Sequence, residues 1–227
     1  PAVEQLIGHG VNINVTLLFS LTAYEAVART FIDALEARKA AGDDVGAVSS
    51  VASFFVSRVE SAADGRIQAR IDAGESALSA LSGKTAVANA TAAYGMFLDI
   101  FSGERWDVLA AAGGRVQRCL WASTSTKNPA YSDILYVEEL IAPHTVNTMP
   151  PATVVAWEDH GEARLTLEGN IENARADLAN LEAAGISMEE ITDELLAAGV
   201  KAFADSYDSL LEDVSGKASA LLETIHG

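Results

Sequence analysis

Cationic side chains follow two of the strand-like runs in this sequence. Arg58 stands at the C-terminal end of the run Ser49–Val59, just before a predicted acidic loop, Glu60–Asp64. A guanidinium can bind phosphate or carboxylate through two parallel hydrogen bonds, so an arginine at the end of a strand is a candidate anion ligand. The alternative, a surface salt bridge from Arg58 to Glu60 or Asp64, remains open on the residues alone.

A second cation lies in the stretch after the run Cys119–Ala122, which reads STSTKNP from Ser123 to Pro129. Its hydroxyl groups, its backbone amides and the ammonium of Lys127 are donors that suit a phosphate. A serine- and threonine-rich turn with a solvated lysine fits the same residues equally well.

The run Asn12–Ser20 is the most strand-like in the sequence. Side chains alternate between the two faces of a strand, so Asn14 and Thr16 share one face while Ile13 and Val15 share the other. Polar side chains on one face of an otherwise apolar strand indicate a face that meets a ligand. The same residues allow a buried strand that merely begins with asparagines.

Four strand-like runs must position these side chains, and helical patterns follow each run. The strands are predicted at Val11–Phe19, Ser49–Val59, Cys119–Ala122 and Thr145–Asn147. Alternation of strands and helices is typical of a parallel sheet, in which ligands bind at the carboxyl ends of the strands. The sequence therefore predicts an α/β fold.

Apolar residues at helical spacing predict the helices. They are expected at Pro1–Gly8, from Ser20 to Gly42, from Ile67 to Leu78, and at Ala86–Phe101, Asp107–Ala112, Asp133–Leu140, Ile171–Ala184 and Met188–Ala198. A capping box, Ser187-x-x-Glu190, opens the last of these. The helical stripe continues through a further set of apolar residues and predicts a long amphipathic C-terminal helix or helix pair that packs back onto the body. These residues are Val200, Phe203, Tyr207, Leu211, Val214, Leu221, Leu222 and Ile225.

Charge and composition exclude two classes of partner. The 227 residues carry a formal net charge of -17, with a pI of about 4.4. Nucleic acid needs clustered Lys and Arg, and an anionic membrane surface attracts basic segments, so neither is expected. The single cysteine, Cys119, cannot form an internal disulfide, and no run has the length of a membrane span or the features of a signal peptide. A cytoplasmic protein is expected.

Two features suggest a nucleotide-phosphate loop and a metal site, but neither fits the pattern that such a site requires. Gly83–Thr85 reads GKT, but Leu78 occupies the position of the upstream glycine and no strand precedes it, so the segment is not a Walker phosphate loop. His144 and His160 have no acidic or cysteine partner at a ligand spacing. We expect no metal site.

Four stretches of the chain together resemble bacterial transaldolases of the actinobacterial type. They read, in order, NINVTLLFS, ASFFVSRV, LWASTSTKNPAYSDILYVEEL and HTVNTMPPAT. The family is a (β/α)₈ TIM barrel of the class I aldolase kind. The resemblance implies a transferase of the pentose phosphate pathway that needs no cofactor. Its substrates are fructose 6-phosphate, sedoheptulose 7-phosphate, erythrose 4-phosphate and glyceraldehyde 3-phosphate.

The resemblance also assigns roles to the polar face. Asn14 matches an asparagine that hydrogen-bonds the bound dihydroxyacetone portion, and Thr16 matches a threonine that holds the catalytic water together with a glutamate from strand three. Ser53 matches a serine at the substrate hydroxyls. Phe55 matches an aromatic residue in the same pocket.

The resemblance implies a phosphate site as well. Arg58 matches the phosphate-binding arginine, while Ser123 and Lys127 lie where many relatives have a serine and an arginine for the same phosphate. The segment STSTKN is longer than in those relatives, so the position of Lys127 departs from the family pattern.

The match begins in the helix after strand four of the family. Residues 1–227 are therefore expected to supply about strands five to eight and the C-terminal helices. Strands one to four, with the Schiff-base lysine and a catalytic aspartate, are expected on an N-terminal transaldolase fragment that completes the enzyme. The alternative is a non-catalytic half-barrel or a sugar-phosphate-binding module.

Overall fold

The chain is a mixed α/β structure, seen in a computed structural model that describes the backbone of residues 1–226 and the side chains of that range except 219, 220 and 222–226. The strands are β1 (Ile13–Leu18), β2 (Ser50–Phe55), β3 (Arg118–Ala122) and β4 (Thr145–Asn147). The helices are α1 (Ala2–Gly8), α2 (Leu21–Ala41), α3 (Ser57–Asp72), α4 (Thr85–Ile100), α5 (Gly103–Ala110), α6 (Leu135–Glu138), α7 (Pro151–His160), α8 (Ile171–Ala183) and α9 (Met188–His226). Short 3-10 turns lie at Val45–Ala47, Ser76–Leu81 and Glu168–Asn170.

The strands form one sheet in the order β1-β2-β3-β4, and every neighbouring pair is parallel. One row of paired residues crosses the whole sheet, from Val15 through Ala52 and Cys119 to Thr145. The predicted α/β fold with a parallel sheet is therefore confirmed. All four predicted strands are present, although β1 and β2 are shorter than predicted.

The main core lies between the sheet and the helices. Phe54 of β2 makes edge-to-face contacts with Tyr24 of α2 and with Trp121 of β3, at ring-centroid distances of 6.2 and 6.4 Å. The indole N–H of Trp121 donates to the carbonyl of Leu140 at 2.9 Å, which satisfies its one polar atom in the apolar interior. These contacts fix the helix-facing side of the sheet.

The opposite face of the sheet carries the predicted polar residues, and we call it the open face. Asn14 and Thr16 point to this face and are exposed, whereas Ile13 and Val15 on the other side are half-buried. The alternation predicted for the first strand is confirmed. Ser53 shares the open face on β2.

The boundary between β2 and the following helix differs from the prediction. The strand was expected to run to Val59, but it ends at Phe55 and α3 begins at Ser57. Val59, Ala63 and Ile67 recur every four residues and are fully buried, so this stretch buries a helical stripe. The segment predicted as an acidic loop is helical, and Arg58 lies in the first turn of α3 rather than at a strand end.

Smaller corrections concern turns and prolines. The helix predicted from Ile67 to Leu78 ends at Asp72, because Gly74 has φ +106° and reverses the chain. The helix predicted at Asp133–Leu140 is the single turn α6. Helix α7 was not predicted; Pro151 stands in its first turn, where a missing N–H costs nothing.

The C-terminal stretch is one long helix that begins at Met188, as the first of the two predicted alternatives has it. Glu190 N donates to Ser187 Oγ at 3.4 Å at its start, and Gly199 lies against the side chain of Leu17. The helix runs past the body, and its apolar stripe is exposed from Val200 to Leu221. The prediction that the stripe packs back onto the body is wrong for these residues.

The predicted stripe also includes Leu222 and Ile225, whose side chains lie outside the described residues. Neither α9 nor any other helix in the described part of the chain combines the length and apolarity needed to cross a membrane.

Candidate functional site

A hydrogen bond joins two of the predicted site residues across the open face. Ser53 Oγ of β2 donates to Asn14 Oδ1 of β1 at 2.6 Å. Because the amide oxygen accepts this bond, the amide N–H₂ of Asn14 is directed away from Ser53 and makes no hydrogen bond within the described residues. Ser53 is buried while Asn14 is exposed, so the pair presents an oriented amide donor to the open face.

Thr16 lies two residues beyond Asn14 on the same face, next to an irregularity in β1. The pairing register with β2 shifts between Val15 and Leu18, and Leu17 has φ +59°. A positive φ is costly for a branched residue, and bulges of this kind re-aim side chains next to active sites. The Thr16 hydroxyl has no hydrogen-bond partner among the described residues, and the structure does not join it to the other predicted site residues.

The Arg58 guanidinium stacks on the ring of Phe55, with its central carbon 5.3 Å from the ring centroid. Phe55 is held in turn by Phe19, at a ring-centroid distance of 5.2 Å. Stacking on an aromatic face orients the planar guanidinium and leaves its N–H groups free to bind an anion. The structure thus brings Arg58 and Phe55 together.

The alternative partners of Arg58 are occupied elsewhere. Glu60 accepts hydrogen bonds from the backbone N–H groups of Thr85 and Ala86, and Asp64 accepts from the Gly83 N–H. Among the described residues Arg58 forms no salt bridge and remains exposed. The predicted alternative of a salt bridge to Glu60 or Asp64 is therefore wrong.

Arg58 and Lys127 line one groove of about 440 Å³, which we call the cation groove. Its other lining residues are Ser57, Ser61, Ala62 and Leu195. It lies between the first turn of α3, the segment after β3 and helix α9. Two cations and two hydroxyl groups around one groove, at the N-terminal end of a helix, form an arrangement that suits an anion.

Ser123 lies beside this groove and bonds to its wall. The hydroxyl groups of Ser123 and Ser57 are 2.9 Å apart, and Ser57 N donates to the Ser123 carbonyl at 2.9 Å. Ser123 has φ +58°, which turns the chain sharply out of β3 at this point. Three non-glycine residues in the described chain have a positive φ. Two of them are Ser123 and Leu17, the residue that follows Thr16.

Sequence reasoning missed Ser57 and Ser61, which line the cation groove four residues apart on α3. Their spacing has meaning only once the helix is known to begin at Ser57. The helical stripe of Val59, Ala63 and Ile67 was the signal that could have shown this.

Sequence reasoning also missed the buried carboxylate of Glu60 on α3, which is only 2% exposed. It accepts from Thr85 N at 3.1 Å and Ala86 N at 3.3 Å, and so caps the N-terminus of α4. Burial and then the charge of Asp64 raise the pKa of Glu60 to about 7, although the two N–H groups act in the opposite direction. Helix α4 begins at Thr85, the last residue of the GKT segment, and the carboxylate of Glu60 occupies its N-terminus.

All five lysines of the sequence are exposed, namely Lys39, Lys84, Lys127, Lys201 and Lys217. A lysine that forms a Schiff base needs a lowered pKa, which burial in an apolar pocket or a neighbouring cation provides. None of the five lies in a buried pocket. Lys201 instead forms an ion pair with Asp205 one turn further along α9.

The predicted histidines take no part in the groove. His160 contacts the carboxylates of Asp133 and Asp159, which raise its pKa. His144 lies near the ring of Phe97. Within residues whose side chains are described, no three His, Cys, Asp or Glu residues converge as a metal-ligand set.

Comparison with known proteins gives matches along almost the whole chain. A sequence profile of the family described as Transaldolase/Fructose-6-phosphate aldolase matches residues 1–214. A protein named Transaldolase from Parafrankia sp. (strain EAN1pec) is 50% identical over 215 residues, which cover 94% of this chain and 58% of that protein. Transaldolase 1 of Streptomyces avermitilis is 48% identical over 216 residues, which cover 95% of this chain and 56% of that protein.

A third relative also matches almost the whole chain. Transaldolase 2 of Nostoc sp. (strain PCC 7120) is 44% identical over 229 residues, which cover 97% of this chain and 60% of that protein. The chain thus spans less than two thirds of the length of these relatives.

Proposed function

Since this chain belongs to the transaldolase/fructose-6-phosphate aldolase family, we propose that it supplies the substrate-binding half of a transaldolase active site. The enzyme transfers a dihydroxyacetone unit from fructose 6-phosphate or sedoheptulose 7-phosphate to erythrose 4-phosphate or glyceraldehyde 3-phosphate. The observation that carries the proposal is the cation groove, in which Arg58 and Lys127 face the same space.

The groove suits the terminal phosphate of these sugars. Arg58 contributes a bidentate guanidinium, Lys127 a mobile point charge, and Ser57 and Ser123 contribute hydroxyl groups. The chain as a whole carries a charge of -17. Two cations that have no carboxylate partner among the described side chains therefore make the groove locally positive. Binding energy at the phosphate then holds the reacting carbons in place.

The open face suits the sugar portion. Phe55 contacts the Arg58 guanidinium and follows Ser53 by two residues on β2, so the phosphate site and the Asn14–Ser53 pair are linked along one strand. In the proposed roles, Asn14 donates its amide to a hydroxyl of the dihydroxyacetone unit. Ser53 contacts the substrate hydroxyls, and Thr16 holds the catalytic water.

The covalent step needs a lysine that this chain does not place in a suitable pocket. We propose that the Schiff-base lysine lies outside residues 1–227, because all five lysines within them are exposed. The lysine condenses with the ketose carbonyl and releases water. When the C3–C4 bond breaks, its electron pair moves into the protonated imine to give an enamine, and a carboxylate takes the proton of the C4 hydroxyl.

The remaining steps reverse the first ones. The departing aldose phosphate leaves the three-carbon enamine on the enzyme, and this enamine attacks the carbonyl carbon of the second aldehyde. As this bond forms, the enamine becomes the protonated imine again, and the oxygen of the attacked aldehyde takes the proton back from the carboxylate and becomes a hydroxyl group. Hydrolysis of the imine by water then frees the product and the lysine. The residues of this chain hold both sugar phosphates in the same orientation through these steps.

Further strands are proposed to complete the sheet. The exposed polar groups of Asn14 and Thr16 on the open face suit a barrel interior, and a four-stranded sheet with two unpaired edges cannot enclose them. We assign β1 to β4 to strands five to eight of a (β/α)₈ barrel, with strands one to four on an N-terminal segment or fragment. We also place the protein in the cytoplasm, where its one cysteine, a buried thiol, stays reduced.

A binding experiment tests the phosphate site. Titration calorimetry of the native protein with fructose 6-phosphate and with inorganic phosphate should show binding that Arg58→Ala weakens by about tenfold to a hundredfold. Arg29→Ala is the matched control, because Arg29 is exposed on α2 and its ion pair is with Glu25 on the same helix. Equal affinities of the wild-type protein and Arg58→Ala would refute the assignment.

A further inference from the structure

The segment between β3 and α6 carries Lys127. Hydrogen bonds join its first residues to the start of α3, just after β2, and to β4. Ser123 meets the hydroxyl of Ser57 at 2.9 Å, and Thr124 Oγ1 donates to Asn147 Oδ1 at 2.8 Å. These bonds fix the place where the segment leaves the sheet. They lie three residues or more before Lys127, so they leave the lysine itself free to move.

The middle of the segment bonds mainly to itself. The ammonium of Lys127, for example, donates to Ser125 Oγ. Among the described residues, a single hydrogen bond joins residues 125–131 to any helix or strand: the Tyr131 hydroxyl donates to Asp64 Oδ2 at 2.7 Å. This bond is therefore the attachment of the Lys127 region to the body of the molecule.

The attachment point is rigid. Asp64 Oδ1 accepts from Gly83 N at 3.0 Å, so both oxygens of this carboxylate are engaged. Gly83 has φ +74°, and a Cβ at that position would lie 2.9 Å from Cζ of Tyr131, so only glycine lets the ring come this close. Burial and then the hydrogen bond to Asp64 raise the pKa of Tyr131, so its hydroxyl remains a donor at neutral pH.

Asp64 and Arg58 lie on the same helix, α3. A bond from Tyr131 to Asp64 therefore fixes the Lys127 segment relative to the Arg58 guanidinium, across the cation groove. We propose that Tyr131 is a positioning residue for phosphate binding, which holds Lys127 against the groove so that both cations reach one phosphate. The inference rests on the phosphate site of the proposed function.

The test removes only the hydroxyl group. Tyr131→Phe keeps the ring against Gly83, and we expect it to weaken the binding of inorganic phosphate and to raise KM for fructose 6-phosphate, both by about tenfold. We expect kcat to change by less than about twofold, since the loss concerns binding shared by substrate and transition state. Tyr94→Phe is the matched control, because the Tyr94 hydroxyl bonds to Pro143 O and Glu168 away from the groove.

A double-mutant cycle separates positioning from general stability. If Tyr131 acts through Lys127, the tenfold effect of Tyr131→Phe should fall to less than about twofold when Lys127 is already replaced by Met. A tenfold effect that persists in the Lys127→Met protein would overturn the inference, as would a Tyr131→Phe protein that binds phosphate as tightly as the wild type.

The phosphate site and the role of Tyr131 are refuted by different results. If the wild-type protein does not bind phosphate, or if Arg58→Ala binds it normally, the proposed function fails and the inference falls with it. If Arg58→Ala loses affinity while Tyr131→Phe keeps it, the phosphate site stands and only the role of Tyr131 is refuted.

Discussion

The buried carboxylate of Glu60 gives a quantitative prediction for the pH dependence of stability. Burial raises the pKa of Glu60 from the ordinary 4.5 to about 7, so the folded protein holds a proton that the unfolded chain releases between these two pH values. The folded state is therefore favoured below pH 4.5, and this contribution is lost as the pH rises through 7. The substitution Glu60→Gln removes the titration while it keeps a side chain of the same size.

The magnitude follows from the same two values. At about 1.4 kcal/mol for each pKa unit, a change in pKa from 4.5 to about 7 corresponds to about 3 kcal/mol. Most of this, roughly 2–3 kcal/mol, falls between pH 5 and pH 8, because the unfolded carboxylate is already mostly ionised at pH 5. The free energy of unfolding of Glu60→Gln, relative to the wild type, should rise by this amount over that interval.

Urea denaturation of both proteins at pH 5 and pH 8 measures the difference directly. Glu158→Gln is the control, because Glu158 is an exposed carboxylate on α7, and its difference from the wild type should be the same at both pH values. If the difference between Glu60→Gln and the wild type also stays constant from pH 5 to pH 8, the assignment of a buried, raised-pKa carboxylate is refuted.

Three further predictions concern other residues. Arg38→Met should lower the free energy of unfolding by about 2–4 kcal/mol, since the buried guanidinium donates to the carbonyls of α1 and of the turn after α2. The control Arg29→Met, at an exposed position, should change the free energy of unfolding by less than about 0.5 kcal/mol, and equal losses in the two variants would contradict the prediction. Cys119 should resist iodoacetamide in the native protein and react after denaturation, because burial raises the pKa of its thiol to about 12. Rapid labelling of Cys119 in the native protein would contradict its place in the core. Ser53→Ala should lower kcat/KM for fructose 6-phosphate by about tenfold, since the Asn14 amide loses the bond that orients it, and unchanged kinetics would exclude that role.

The strands could be predicted because their signal is local. Alternation in Asn12–Ser20 placed Asn14 and Thr16 on one face, and the structure leaves both exposed on the open face. The resemblance to transaldolases, drawn from four short stretches, is confirmed at the level of the family. The roles given to individual site residues stay predictions.

The start of α3 could not be read from composition alone. SSVASFFVSRV is rich in valine, phenylalanine and serine, so strand propensity extends beyond the point where the strand ends. A helix from Ser57 buries Val59, Ala63 and Ile67 on one face, whereas a continued strand would not place them together. The consequence is functional, because it places Arg58 in a first helical turn with Ser57 and Ser61 around the same groove.

The supporting network of the site could not be predicted because its contacts are distant in sequence. Glu60 caps a helix 25 residues later, and Tyr131 bonds to a carboxylate 67 residues earlier. Neither spacing has a periodic signature. The exposed end of α9 is a related case, since periodicity predicts an apolar stripe from Val200 onwards but not what the stripe contacts.

Reductive trapping is the most direct test of the central claim, that this chain binds the sugar phosphate for a lysine located elsewhere. The native protein is incubated with fructose 6-phosphate, reduced with borohydride and digested, and the modified peptide is identified by mass spectrometry. We expect a three-carbon adduct on a lysine outside residues 1–227. An adduct on Lys39, Lys84, Lys127, Lys201 or Lys217 would contradict the account, as would the absence of any adduct on a preparation that carries out the transfer.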